Sequence, residues 1–426
     1  MQVENEYGSY GNDSRYLNYL RDGMVRRGID VLQFTSDGPA DVMLTGGSLP
    51  DVYKTVNFGS KPEEGFLKLR ECQNSGPLMC GEYWNGWFDH WGEKHHVRDP
   101  REAADVLDRI LRMGASVNLY MFHGGTNFGF MNGANYQDAI QPTITSYDYD
   151  SPLDEAGDPT KKYYLIRAVL SKYVKVENTE ISRSEKKSYG KVRLAERAGL
   201  FESLDTISSQ VESASTMTME ELGQSFGFVL YRTHISGKRK GSRLTIDGAH
   251  DRALVFVGGT YAGTIIRGDH RGIVLDIPAE GALLDILVEN LGRINYGSEL
   301  GDMKGITKGV KLDYQFLFGW KMYGLPLDNI ENLKFKPGIS GAAPAFYRGK
   351  FNADRVADTF IKLKGWTKGV VFINRFNLGR YWSIGPQRTL YIPAPLLKAG
   401  ENEIVVFELY RMDKPIIELL DNAELG

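Results

Sequence analysis

Pro77-Leu78-Met79-Cys80-Gly81-Glu82-Tyr83-Trp84-Asn85-Gly86-Trp87-Phe88-Asp89-His90-Trp91-Gly92 decides the reading of this chain. Its first six residues read as a strand that ends on a carboxylate, Glu82. The residues after it set that acid among Trp84, Trp87 and Trp91, with Gly86 and Gly92 beside them. Upstream, Met1-Gln2-Val3-Glu4-Asn5-Glu6 has the same form, a strand that ends on Glu6 and runs into the loop Tyr7-Gly8-Ser9-Tyr10-Gly11.

Between and beyond these two acids, strands alternate with helices. A helix follows Asn12-Asp13-Ser14, with Tyr16, Leu17, Leu20, Met24 and Val25 at helical spacing. Residues 29–35 and 54–59 read as strands, 63–72 as a helix, 101–113 as an amphipathic helix, 116–122 as a strand and 161–174 as a helix. Five strands in this rhythm make a parallel α/β domain. They fit an open sheet or the later part of an eight-unit barrel; acids and aromatics at strand ends favour the barrel, whose chemistry sits at the C-terminal face. On that reading three strand–helix units are missing before Met1. The pattern changes near residue 178. A charged stretch, 177–187, gives way to short strands with glycine-rich turns, the pattern of β-sandwiches. The expected organisation is 1–178 for the α/β domain, 179–219 for a linker, and 220–335 and 336–426 for two β domains. A weak repeat relates the last two: Val255 precedes Gly263 by eight residues, and Val371 precedes Gly379 by eight.

Composition narrows the function. The 426 residues carry a net charge of −3 without a basic block, which argues against nucleic acid. No apolar run approaches the roughly 18 residues of a membrane span. Two cysteines, Cys72 and Cys80, read as free thiols and point weakly to a reducing, cytoplasmic compartment. Adjacent His95 and His96 do not suit a shared metal ion on regular secondary structure. The glycine-rich His123-Gly124-Gly125-Thr126 lacks the residues of a phosphate loop, and no GxSxG elbow occurs. The reading calls for no cofactor and no metal.

A pair of carboxylates is what glycoside hydrolysis requires: one protonated to serve the leaving oxygen, one ionised to attack the anomeric carbon. Asn5 beside Glu6 can bind a sugar hydroxyl, and Trp84 and Trp87 can stack on a pyranose ring. Taken together, four stretches of the α/β region (2–8, 82–92, 118–129 and 145–150) resemble family 35 glycoside hydrolases, the β-galactosidases of that family. Two stretches of the β region (287–297 and 376–382) are similar to that family's C-terminal domains. The resemblance implies a TIM barrel, here strands 4–8, followed by two jelly-roll or galactose-binding-like sandwiches. It implies retention by double displacement at terminal β-D-galactosyl residues, with Glu6 as acid/base and Glu82 as nucleophile. It implies that Asn5, Tyr120, Tyr147, Tyr149 and Trp87 bind substrate, with Trp84 standing where some members carry Tyr. The substrate would be a galactose-containing oligosaccharide or glycoconjugate, and a homodimer is compatible with the reading. Missing the first barrel strands, the chain is expected to be an incomplete, inactive fragment. Two rival readings are a carbohydrate-binding protein with a vestigial barrel and an exo-glycosidase of related specificity.

Overall fold

The structure, a computed structural model, describes every residue except 178 and 180, so the boundary expected at 178 lies outside the described residues. The chain divides into two compact units. One comprises Met1–Asp89, His95–Thr126 and Tyr147–Ser184; the other comprises His90–Lys94, Asn127–Ser146 and Glu185–Gly426. The α/β region is thus not one uninterrupted stretch: two of its loops belong to the second unit.

In the first unit, β1 (Gln2–Asn5), β2 (Phe34–Asp37), β3 (Tyr53–Phe58), β4 (Met79–Trp84) and β5 (Ser116–Tyr120) form one sheet. Every pairing is parallel and the spatial order is the sequence order. Parallel neighbours need crossovers, and helices supply them. These are α1 (Ser14–Arg26), α2 (Asp41–Gly46), α3 (Pro62–Cys72) and α4 (Pro100–Arg112), with α5 (Lys161–Leu170) later in the chain.

The helix starts follow local chemistry. Asp13 caps α1 by accepting from Arg15 N, and Asp99 caps α4 by accepting from Arg101 N and Glu102 N. Pro62 and Pro100 occupy first turns, where no backbone donor is needed. The apolar stripe of α4, including Val106, Leu107 and Ile110, is buried with Val56 and Phe58 of β3, Cys80 and Tyr83 of β4, and Ile166 of α5. Cys80 is buried, Cys72 is half-buried, and both are free thiols.

β2 departs from the sequence reading. The apolar run from Ile29 suggests a strand over 29–35, yet Val31 and Leu32 are exposed and pairing begins at Phe34. The strand's buried residues are polar, Thr35, Ser36 and Asp37, and hydrogen bonds compensate the burial of Ser36 and Asp37, while Thr35 Oγ1 has no partner. Hydropathy alone cannot find such a strand.

The second unit holds two β-sandwiches. In the first, a six-stranded sheet has the order Gln210–Ser213, Trp320–Leu325, Phe228–Ile235, Ala282–Glu289, Arg252–Val257, Thr260–Ile266. It shares a core with a four-stranded sheet through Val229, Tyr231, Leu244, Ile286 and Val310. In the second, a six-stranded sheet has the order Lys336–Pro337, Glu196–Gly199, Ala345–Ala353, Gly400–Glu408, Lys368–Ile373, Phe376–Trp382. Its four-stranded partner shares the core of Tyr347, Val371, Ile361 and Leu419. Alternate residues of the two six-stranded sheets (Phe228, Leu230 and Phe256 from one; Phe346, Val370 and Phe407 from the other) pack together in a third core. Burial on both faces explains why these strands are continuously apolar.

The repeat is geometric as well as textual. Val255 pairs Gly263 and Val371 pairs Gly379, and in each pair the register slips at the next residue. Charged strand ends are paired: Lys368 Nζ lies 2.8 Å from Glu289 Oε1, joining the two sandwiches in a buried ion pair.

Residues 179–219 are not a linker throughout. They contain strands Gly190–Arg193, Glu196–Gly199 and Gln210–Ser213 and the helix Leu200–Ile207. Two of these strands belong to the second sandwich and one to the first. They read as linker because they are short and polar, burying few side chains, such as Val192 and Ala198. The second sandwich is therefore assembled from separated stretches of sequence.

Candidate active site

All five strands of the first unit run the same way, so their C-terminal ends lie along one edge. The sheet register arrays the residues there. Asn5 pairs with Ser36, Ser36 with Thr55, Asn57 with Glu82, and Trp84 with Tyr120. Glu6 follows β1 directly, in the left-handed region at φ 48°, ψ 38°, which few non-glycine residues adopt outside special sites. Its backbone N–H donates to Ser36 O at 3.1 Å, which fixes the turn.

Each acid has its own donor. Asn57 Nδ2 donates to Glu6 Oε1 at 3.0 Å, and Trp84 Nε1 donates to Glu82 Oε2 at 3.0 Å. Burial pushes the Glu82 carboxyl above the ordinary range; the Trp84 donor opposes this and the charge of Glu6 adds to it. Asp37, at the end of β2, is raised to about 6 by burial, although the Gly8 N–H it accepts works the other way. The tyrosines share the trend: burial raises Tyr120, and the charges of Glu82 and Glu6 raise it further.

An aromatic wall stands beside Glu82. Trp84 meets Trp87 edge-on at 5.6 Å, Trp87 stacks on Phe88 at 5.1 Å, and Phe88 stacks on Tyr147 at 5.7 Å. Tyr147 Oη lies 3.5 Å from Tyr120 Oη. Trp87 remains 39% exposed, open to a ligand. Tyr149 differs. It is buried edge-on to Tyr120, and its hydroxyl is sealed from solvent without a hydrogen-bond partner. Two bare glycines allow this packing. A methyl group on Gly86 would lie 1.8 Å from Tyr149 O, and one on Gly124 would lie 1.7 Å from Tyr147 O. Lys162, buried on α5, ties the two loops by donating to Asn85 O at 2.8 Å and Asp150 Oδ2 at 2.7 Å.

The structure thus gathers Glu6, Glu82, Trp84, Trp87, Tyr120, Tyr147 and Tyr149 in one unit. Asn5 is exposed at its strand end, and its Oδ1 accepts from Gln2 Nε2. Sequence reasoning missed Asn57, Ser36, Phe88 and Lys162. Asn57 had one signal, a polar residue closing the apolar strand Thr55-Val56-Asn57 beside Gly59; its partner lies 51 residues away. His95 and His96 lie on neither helix nor strand. Both rings lie in a loop and turn to one carboxylate, Asp89, at 2.7 and 2.8 Å. Burial raises Asp89, but these two histidines outweigh it and hold the carboxyl below its usual range. Among the described residues, no three His, Cys, Asp or Glu side chains converge as a metal site. No helix of the described residues is long and apolar enough to cross a membrane.

A strand-end carboxylate pair with aromatic rings beside it is a site of the glycoside hydrolase kind. Residues 1–173 match the glycosyl hydrolases family 35, residues 216–327 the first all-beta domain of beta-galactosidase, and residues 344–402 its galactose-binding domain. A beta-galactosidase of Macaca fascicularis is 42% identical over 469 residues, covering 100% of this chain and 68% of its own. Beta-galactosidase 17 of Arabidopsis thaliana is 39% identical, covering 98% and 66%, and the Homo sapiens beta-galactosidase is 41% identical, covering 96% and 65%. Among solved structures, a Bacteroides uniformis beta-glucuronidase aligns over 96% of this chain and 50% of its own at 9% identity and a TM-score of 0.23, too slight a likeness to argue from. The chain belongs to glycosyl hydrolases family 35. It spans about two thirds of the length of the curated relatives it matches.

Proposed function

We propose that the protein is a retaining β-galactosidase in which Glu82 is the nucleophile and Glu6 the acid/base. The observation that carries this is the pair of strand-end carboxylates, each bound by a separate donor and each acting on the same tyrosine, Tyr120. In the first step Glu82 attacks the anomeric carbon while Glu6 gives its proton to the departing oxygen. In the second, Glu6 takes a proton from water, which attacks from the face the leaving group left and displaces Glu82 from the opposite face. Two inversions give net retention. Trp84, Trp87, Phe88, Tyr120 and Tyr147 would bind the pyranose, Tyr149 would back them, and Asn5 would reach a sugar hydroxyl by rotating from Gln2. The sequential order of the parallel strands supports reading the sheet as five strands of a (β/α)₈ barrel. The relatives' names support a substrate ending in β-linked galactose.

The test uses the protein as its source makes it. Glu82→Gln should abolish turnover of every galactoside. Glu6→Gln should slow substrates with poor leaving groups far more than activated ones, with the first product retaining its anomeric configuration. An inverted first product, or a Glu82→Gln variant keeping most of its rate, would overturn the reading.

A further inference from the structure

Asn57 stands where β3 ends, fully buried, opposite Glu82 in the register. Its amide is held at both ends. Ser36 Oγ lies 2.6 Å from Asn57 Oδ1, and Asn57 Nδ2 lies 3.0 Å from Glu6 Oε1. A serine hydroxyl has one proton. Given to Oδ1, it fixes which end of the amide is the oxygen, so the NH₂ end must face Glu6. Ser36 acts on Glu6 a second time, because its carbonyl accepts the Glu6 backbone N–H. Ser36 and Asn57 together hold the acid by its backbone and by one carboxyl oxygen.

The bracket has a requirement on the neighbouring strand. A methyl group on Gly81 would lie 2.4 Å from Ser36 Oγ and 3.0 Å from Asn57 Oδ1. Gly81 has no left-handed backbone to explain its identity. Space for the amide relay does explain it, one residue before Glu82.

We infer that Asn57 is a positioning residue for proton transfer: by occupying Glu6 Oε1 as a donor, it leaves Oε2 as the oxygen that gives up and takes back the proton. A carboxylic acid with Oε1 accepting from an amide carries its own proton on Oε2. The amide therefore keeps the proton on the free oxygen, available to a leaving group. This inference rests on the acid/base assignment of Glu6.

The experiment compares kcat/KM for 2,4-dinitrophenyl β-D-galactoside, whose leaving group needs no proton, with that for methyl β-D-galactoside, whose leaving group does. General acid catalysis contributes about 10²–10⁴-fold. Asn57→Ala should lose at least about 30-fold on the methyl galactoside, short of that range because Glu6 itself remains, and less than about 3-fold on the dinitrophenyl substrate. Ser36→Ala, which frees the amide to turn over, should show the same split at smaller size, and it guards against misfolding of the first variant. Glu6→Gln is the reference. If Glu6→Gln splits the two substrates and both Asn57→Ala and Ser36→Ala lower them equally, Asn57 is merely structural and the inference is overturned. If Glu6→Gln itself shows no split, the acid/base assignment falls and the inference falls with it.

Discussion

Gly81→Ala isolates the steric demand of the amide relay. The change carries no backbone penalty, because Gly81 lies outside the left-handed region. By chain entropy alone it should stabilise the fold by roughly 0.4–1 kcal/mol. The added methyl would instead lie 2.4 Å from Ser36 Oγ, 2.4 Å from Thr55 Oγ1 and 3.0 Å from Asn57 Oδ1. None of these is the far end of a flexible chain. Each sits on a paired strand, and Ser36 and Thr55 are buried and bonded, Ser36 to Asn57 and Thr55 to Thr35 O. Overpacking of this kind costs about 1–3 kcal/mol, and a displaced Ser36–Asn57 bond adds about 1 kcal/mol. The net expectation is a loss of about 1–3 kcal/mol after the entropy gain. Amide hydrogen exchange read by mass spectrometry, over peptides spanning 53–58 and 79–84, measures it where it acts. The double variant Gly81→Ala/Ser36→Ala relieves one of the two 2.4 Å contacts and should cost less than the two single changes summed, by at least about 0.5 kcal/mol. Unchanged or greater protection in Gly81→Ala, or strict additivity in the double variant, would refute the steric argument.

Two further expectations concern charge. The Asp37 carboxyl rises from 3.8 to about 6 on folding, so the folded state binds the proton more tightly and stability falls as pH rises from about 4 to 6. The shift corresponds to at most about 3 kcal/mol. Asp37→Asn keeps an acceptor for Gly8 N–H and should stabilise the protein at pH 7.5 but hardly at pH 4, as measured by chemical denaturation; an equal effect at both would count against the linkage. Trp84→Phe removes the donor that lowers the Glu82 carboxyl. Because Glu82 must be ionised to attack, the acid limb of the kcat/KM profile should move to higher pH; an unmoved limb would show that the indole does not tune the nucleophile.

The sequence by itself determined the two acids, their aromatic company and the alternation of strands and helices that carries them. Glu82 announces itself because the residues that build its surroundings, Trp84 to Phe88, are its chain neighbours. The capped helices were legible for the same reason: Asp13, Asp99 and the prolines act within a turn of where they stand. The doubled sandwich was legible as a pair of eight-residue spacings, since a register slip beside a glycine has a local cause. What the tertiary structure decided is non-local. Strand β2 formed on buried polar residues that no hydropathy pattern marks, because their partners come from other elements. Residues 190–193, 196–199 and 210–213 became sheet because strands far along the chain offered them hydrogen bonds. Asn57 became a partner of Glu6 only once parallel pairing set β1, β2, β3 and β4 side by side. Short-range chemistry is written along the chain, whereas a hydrogen bond across a sheet exists only after the sheet has chosen its register.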